Sequence, residues 1–243
     1  MLIDPSRSTQ ISKNLAAVNE RIDQAALRAG RDQTPELIVV TKYFPAADVE
    51  HLHSLGVRQV GENKDQEASA KAAETAHLEG LNWHFVGQLQ SNKAKSVARY
   101  AHAVHSVDRL KVARALDSAA AAAVERGDRA EALDCLIQVD LRSPVPTDGR
   151  GGAAPTDVAA LAQAIAEAPQ LRLAGLMAVA PLNEPALPAF ERLAELSATL
   201  RQDHPQATWI SAGMSQDLEE AVACGATHLR IGRDVLGERP NHR

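Results

Sequence analysis

The apolar positions of this chain change period repeatedly, and each change marks an element. Ile11, Leu15, Val18, Ile22 and Ala25 recur at steps of four and three, one face of a helix that Gly30 ends and that Ser8 or Thr9 is placed to cap. Residues 37–42 then form an apolar, β-branched run that finishes on Lys42, and Pro45 fits the first turn of the next helix. Val49, Leu52 and Leu55 carry that helix to Gly56. A short strand at 58–61 leads through Glu62 and Asn63 to a polar, Ala-rich helix reaching His77. Strands follow at 83–87 and 103–107, with Ser91 and Asp108 as caps for the helices behind them and Gly127 as the stop of the second. Further strands are predicted at 133–141, 171–177, 208–211 and 227–231. Helices capped by Thr156 and Ser215, and one marked by Leu187, Phe190, Leu193, Leu196 and Leu200, lie between them.

Eight strands alternating with helices, behind one extra N-terminal helix, predict a single (β/α)8 TIM barrel over residues 1–243. An open doubly wound sheet is the alternative, weakened by the lack of Gly-x-Gly-x-x-Gly after the first strand. The long Pro/Gly-rich stretch 143–152 reads as a mobile loop at the active end rather than a domain boundary.

Composition narrows the function. With 45% hydrophobic and 23% charged residues the chain is ordinary globular protein, and seven aromatics (3 Phe, 2 Trp, 2 Tyr) leave the core to Ala, Val, Leu and Ile. A net charge of −5 argues against a nucleic-acid surface. No apolar run is long enough for a membrane span, and the N-terminus lacks a signal-peptide core. Cys135 and Cys224 have no metal-ligand spacing and read as reduced core residues of a cytoplasmic protein. No metal site is expected.

In a barrel the chemistry sits at the C-terminal ends of the strands. Lys42 there has two readings: a strand-end lysine reaching solvent, or a desolvated amine for Schiff-base chemistry. The turns Ser211-Ala212-Gly213-Met214 and Arg230-Ile231-Gly232 follow strands seven and eight, where barrels often bind phosphate. Their glycines suit either tight turns or the close approach of backbone N–H groups to an anion. Arg230, between Leu229 and Ile231, needs a partner: Glu62 or Asp140 as a structural ion pair, or a ligand. His84 and His105 read as satisfied core histidines. A barrel lysine facing a phosphate cradle suits pyridoxal 5′-phosphate, whose aldehyde and phosphate need those two features.

At this point the chain resembles the YggS/PROSC-type pyridoxal phosphate homeostasis proteins over nearly its whole length. The residues that carry the resemblance are Val40-Thr41-Lys42, Gly61-Glu62-Asn63 with Gln66-Glu67, residues 83–93, His105-Ser106-Val107-Asp108, Gly175-Leu176-Met177, residues 211–215 and Arg230-Ile231-Gly232. The resemblance implies a barrel like the N-terminal domain of alanine racemase, with Lys42 carrying the cofactor as an internal aldimine. It implies phosphate contacts from Ser211, Gly213 and Gly232, Arg230 towards the pyridine nitrogen, and Asn63 and Met214 as lining residues. Ala212 and Gln88 depart from the usual methionine and proline, and neither change removes a polar contact. The function so implied is intracellular cofactor homeostasis and delivery by a monomer, with apo-enzymes as recipients and no residue assigned to catalysis. The alternatives are a racemase-like amino-acid enzyme and a cofactor-free, aldolase-like barrel. Against a two-base racemase, the chain has only Tyr43 and Tyr100 and no room for a second domain after Gly237.

Overall fold

The computed structural model describes residues 5–142, 152–182 and 184–238. Among them eight parallel strands close into a barrel in strict sequence order: β1 (Glu36–Val40), β2 (Gln59–Glu62), β3 (Asn82–Phe85), β4 (Ala101–Val107), β5 (Leu133–Gln138), β6 (Leu171–Met177), β7 (Trp209–Ser211) and β8 (His228–Ile231). The ring closes where Ile38 pairs with Arg230 and Val39 with Ile231. The helix at Pro5–Arg28 (α1) precedes the barrel and buries the predicted stripe Ile11, Leu15, Val18, Ile22 and Ala25. The others lie outside the strands: α2 (Ala46–Ser54), α3 (Asp65–Glu74), α4 (Ala94–Tyr100), α5 (Leu110–Glu125), α6 (Val158–Ala166), α7 (Ala186–Asp203), α8 (Leu218–Ala223) and α9 (Arg233–Leu236).

The barrel prediction therefore holds, and so do the eight strand positions. The caps differ. α4, α5, α6 and α8 start after Lys93, Arg109, Asp157 and Asp217, and none has a side-chain capping bond. Ser91 and Thr156 instead lie in short 3-10 turns that run into α4 and α6. Most of the expected loop at 143–152 lies outside the described residues. Just beyond it, Ala153 bridges Val139 and is buried.

Strand period two sorts the side chains into two layers. A Cβ on Gly61 would touch Ile38 Cγ2 at 3.0 Å and Val40 Cγ2 at 3.5 Å, so these residues share the barrel interior. The same alternation carries Lys42 to the interior side of the rim. Thr41 and Glu62 face outward, towards α3. On β7 and β8 the interior columns are Trp209–Ser211–Gly213 and His228–Arg230–Gly232.

Candidate cofactor site at the barrel rim

β7, β8, β1 and β2 are consecutive staves of the barrel. All seven residues expected at the site, Lys42, Asn63, Ser211, Gly213, Met214, Arg230 and Gly232, lie on these four strands or in the turns directly after them. Residues separated by up to 190 positions thus share one half of the C-terminal rim.

On the β1 side, Lys42 is half-buried, and among the described residues it forms no ion pair. Its two chain neighbours are held from behind. Lys71, on the buried face of α3, donates to Thr41 O at 2.9 Å, to Glu62 Oε1 at 2.6 Å and to Glu67 Oε1 at 2.9 Å. Glu67 Oε1 also accepts the backbone N–H of Tyr43 at 2.6 Å. Tyr43 has φ +73°, the left-handed region, and is the only non-glycine described residue with positive φ. That conformation costs a bulky residue about 1 kcal/mol or more. Lys71 thus grips the carbonyl before Lys42, and Glu67 grips the N–H after it.

Burial pushes the Glu62 carboxyl above its ordinary range, with Lys71 and Thr41 pulling the other way. Burial acts likewise on Glu67, but there the bonds from Lys71 and Tyr43 win and the carboxyl is held lower. The Oδ1 atom of Asn63 is buried with no hydrogen-bond partner among the described residues. Gly87 closes over this strand end: a Cβ there would overlap the backbone of Asn63.

On the β7–β8 side, Arg230 is 6% exposed. Neither expected structural partner reaches it: Glu62 is taken by Lys71 and Asp140 by Arg142. Arg230 instead donates Nη1 to Ser211 Oγ at 2.7 Å and Nη2 to Ala178 O at 2.8 Å. Burial brings its guanidinium down to about 10, opposed by the charge of Asp217. A guanidinium has five N–H donors. Those beyond these two bonds find no acceptor among the described residues.

The glycines of this side are needed by the chain itself. Gly213 has φ +92°, and a Cβ on it would meet Ala221 and Leu229 at 2.7 Å; on Gly232 it would meet Val40 O at 2.8 Å. Met214 is exposed, and its N–H is engaged by Asp217 Oδ1 at 2.6 Å. The hydroxyl of Ser211 is likewise engaged, by Arg230 and by His105 Nδ1 at 2.9 Å. Contacts from Ser211 and Met214 to a bound anion would therefore need other atoms of these residues.

Sequence reasoning missed Lys71, and it left Thr41 and Glu67 as unassigned parts of motifs. The usable signal was the Glu67–Lys71 spacing of four on one helix. It also left His105 as an ordinary core histidine, which is what its two partners make it, but without the link to Ser211.

The amine of Lys42 and the spare donors of Arg230 have the chemistry that a phosphorylated aldehyde needs, and the unpartnered Oδ1 of Asn63 adds an acceptor. Comparisons with known proteins bear on the family and the cofactor. The family described as "Alanine racemase, N-terminal domain" matches residues 13–240. A curated Mycobacterium tuberculosis protein named "Pyridoxal phosphate homeostasis protein" is 42% identical, covering 97% of this chain and 95% of its own. A Pseudomonas aeruginosa protein of the same name is 43% identical over 94% of this chain and 96% of its own. The structure of PipY from Synechococcus elongatus, solved with pyridoxal phosphate bound, is 33% identical with a TM-score of 0.78, covering 94% of this chain and 100% of that one.

Proposed function

The chain belongs to the alanine racemase N-terminal-domain family, and from that premise we propose that it is a pyridoxal 5′-phosphate-binding protein of cofactor homeostasis. The observation that carries the reading is Lys42: an amine on the interior side of the rim, free of ion pairs among the described residues, with both neighbouring peptide groups clamped. Relatives named for pyridoxal phosphate homeostasis, and PipY with the cofactor bound, support it. The cofactor supplies an aldehyde that bonds covalently to an amine and a phosphate that needs donors. Lys42 supplies that amine. Backbone groups around Ser211, Gly213 and Gly232 receive the phosphate, with Met214 beside them. Asn63 lines the β2 side, and Arg230 donates towards the ring nitrogen.

Storage and delivery rather than turnover follow from the same residues. Arg230 is a permanent donor, and no carboxylate reaches it within ion-pair distance among the described residues. It therefore disfavours a proton on the ring nitrogen, which amino-acid chemistry would exploit. Tyr100 is no ready second base: burial pushes its hydroxyl well up, and Asp65 beside it acts in the same direction. In this reading the whole chain is one cofactor-binding unit that acts as a monomer in the cytoplasm and passes its load to apo-enzymes. Two free cysteines, one of them buried, are in keeping with that compartment.

The test is to load the purified chain with pyridoxal phosphate, reduce with borohydride and map the labelled peptide. Lys42 is expected to carry the label, and Lys42→Ala to lose both label and visible absorbance while its circular dichroism is unchanged. A reducible chromophore surviving in Lys42→Ala would move the attachment to another lysine.

A further inference from the structure

The interior of a parallel eight-stranded barrel is usually filled with branched apolar side chains. In this one, five strands contribute to a chain of polar groups. His84 Nε2 lies 2.8 Å from Gln59 Oε1, and His84 Nδ1 lies 2.9 Å from His105 Nε2. His105 Nδ1 lies 2.9 Å from Ser211 Oγ, which accepts from Arg230 Nη1 at 2.7 Å. His84, His105 and Ser211 are all at most 1% exposed.

The two ends of this chain set its direction. Arg230 can only donate. At the other end Gln59 presents a carbonyl oxygen, which can only accept, so His84 carries its proton on Nε2. With that proton placed, the neutral His84 accepts at Nδ1, so His105 donates from Nε2. His105 then accepts at Nδ1, and the Ser211 hydroxyl supplies that proton while its lone pair receives Arg230. Every bond runs the same way, from Arg230 down to Gln59. A proton added to His84 would set two donors against each other; one added to His105 would force the Ser211 hydroxyl to turn away and accept instead of donate. The charged and titratable groups around the pair act in the same sense. Burial holds both rings well below the ordinary imidazole value; His102 and His228 push His84 further in that direction, and His84, Arg230, His228 and His102 do so for His105.

We propose that His105 and His84 are positioning residues for Arg230: neutral, each protonated on Nε2, they lock the Ser211 hydroxyl and through it the guanidinium. The consequence for ligand binding rests on the cofactor reading above; the chain of donors does not. A locked guanidinium keeps its remaining N–H bonds aimed at one place and loses little entropy when a ring nitrogen arrives there.

The experiment is nitrogen-15 spectroscopy of the histidine and arginine side chains, in cofactor-free protein, with the rate of pyridoxal phosphate loss measured separately on loaded protein. Wild type is expected to show neutral Nε2–H tautomers for both rings, with no imidazolium forming through the ordinary imidazole range. Arg230 is expected to show separate, slowly exchanging Nη signals. His105→Phe should merge those signals and speed cofactor loss about tenfold, the scale of one weakened charge-assisted hydrogen bond. His105→Asn, whose Oδ1 can accept the Ser211 proton where Nδ1 did, should restore both properties. Should His105→Phe fail to fold, His84→Met breaks the same chain one bond further from Arg230. An Nδ1–H tautomer on either ring, an imidazolium near neutral pH, or a guanidinium still locked in a folded chain-breaking variant would overturn the proposal. If wild type takes up no pyridoxal phosphate, the cofactor reading fails while the spectra still decide the positioning role.

Discussion

The two cations of the rim are held by opposite means. Around Lys42 the supports are full charges: Lys71 between Glu62 and Glu67, with Glu67 reaching on to the strained Tyr43. Around Arg230 they are neutral: a carbonyl, a hydroxyl and two imidazoles. The difference matches the tasks proposed for them. A lysine that must bond and release an aldehyde has to stay uncommitted, so the ionic grip is placed on its neighbours and not on its own amine. A guanidinium that only donates can be gripped directly, and neutral partners hold it without cancelling its charge.

The largest effect should come from breaking the ionic side. Lys71→Met leaves Glu62, whose side chain is 1% exposed, without its cation. Removing one partner of a buried pair typically costs about 3–5 kcal/mol. Urea unfolding is expected to show a loss of that size, and Lys71→Met combined with Glu62→Gln to recover much of it. A loss below about 1 kcal/mol would class the pair with surface ion pairs and erase the contrast.

Acid separates the two sides next. Burial holds His228 down to about 4, from an ordinary 6.5, with Arg230 and His102 adding to it. His84 and His105 are lowered in the same direction. A histidine lowered in the folded state binds fewer protons folded than unfolded, so its contribution is complete above 6.5 and is lost as pH falls from there through the folded value. For His228 that loss is at most roughly 3 kcal/mol. Glu67, lowered, adds its own loss only below 4.5, and Glu62, raised, works in the opposite sense. Urea midpoints should therefore fall across the imidazole window first, and His228→Asn should flatten part of that slope. A flat profile down to the carboxylate range would mean that the buried rings do not titrate with unfolding.

How far this was legible in the sequence divides along the same line. Periodicity was enough for the eight strands, because a buried parallel strand is a run of β-branched residues and each helix keeps one apolar face. It also put Lys42, Arg230 and the two glycine turns at strand ends, where barrel chemistry sits, but position alone left their roles open. Lys71 was hidden because a Glu and a Lys four apart on an Ala-rich helix look like a solvated face; only the packing of α3 back against β2 puts Glu62 beneath them. Arg230 was given candidate acidic partners because a buried guanidinium suggests a carboxylate, whereas its real partners are Ser211 and a carbonyl. The His105–Ser211 contact spans 106 positions, beyond any local pattern. The expected caps failed for a local reason: Ser91, Asp108, Thr156 and Ser215 have the right chemistry, but short turns carry the chain past them before each helix begins.

The smallest change asks what Glu67 contributes besides its charge. Its Oε1 receives both the Lys71 ammonium and the Tyr43 N–H. Glu67→Gln keeps an acceptor oxygen of nearly the same shape and removes only the charge, and Lys71 retains Glu62. The expected cost is about 1 kcal/mol or less, since Glu67 is 25% exposed on its side chain and partly screened. Glu67→Ala removes the acceptor as well, and Tyr43 then has less to hold it in the left-handed region. Relief of that strain offsets part of the lost bonding, so the stability gap between the two variants should be small. The backbone should separate them: the coupling constant that reports φ at Tyr43 is expected to stay at its wild-type value in Glu67→Gln and to move towards negative φ in Glu67→Ala. With it Lys42 would lose one of its two grips, and borohydride labelling at Lys42 should slow in the alanine variant only. Equal behaviour of the two variants would mean that charge, not the hydrogen bond to Tyr43, holds this turn.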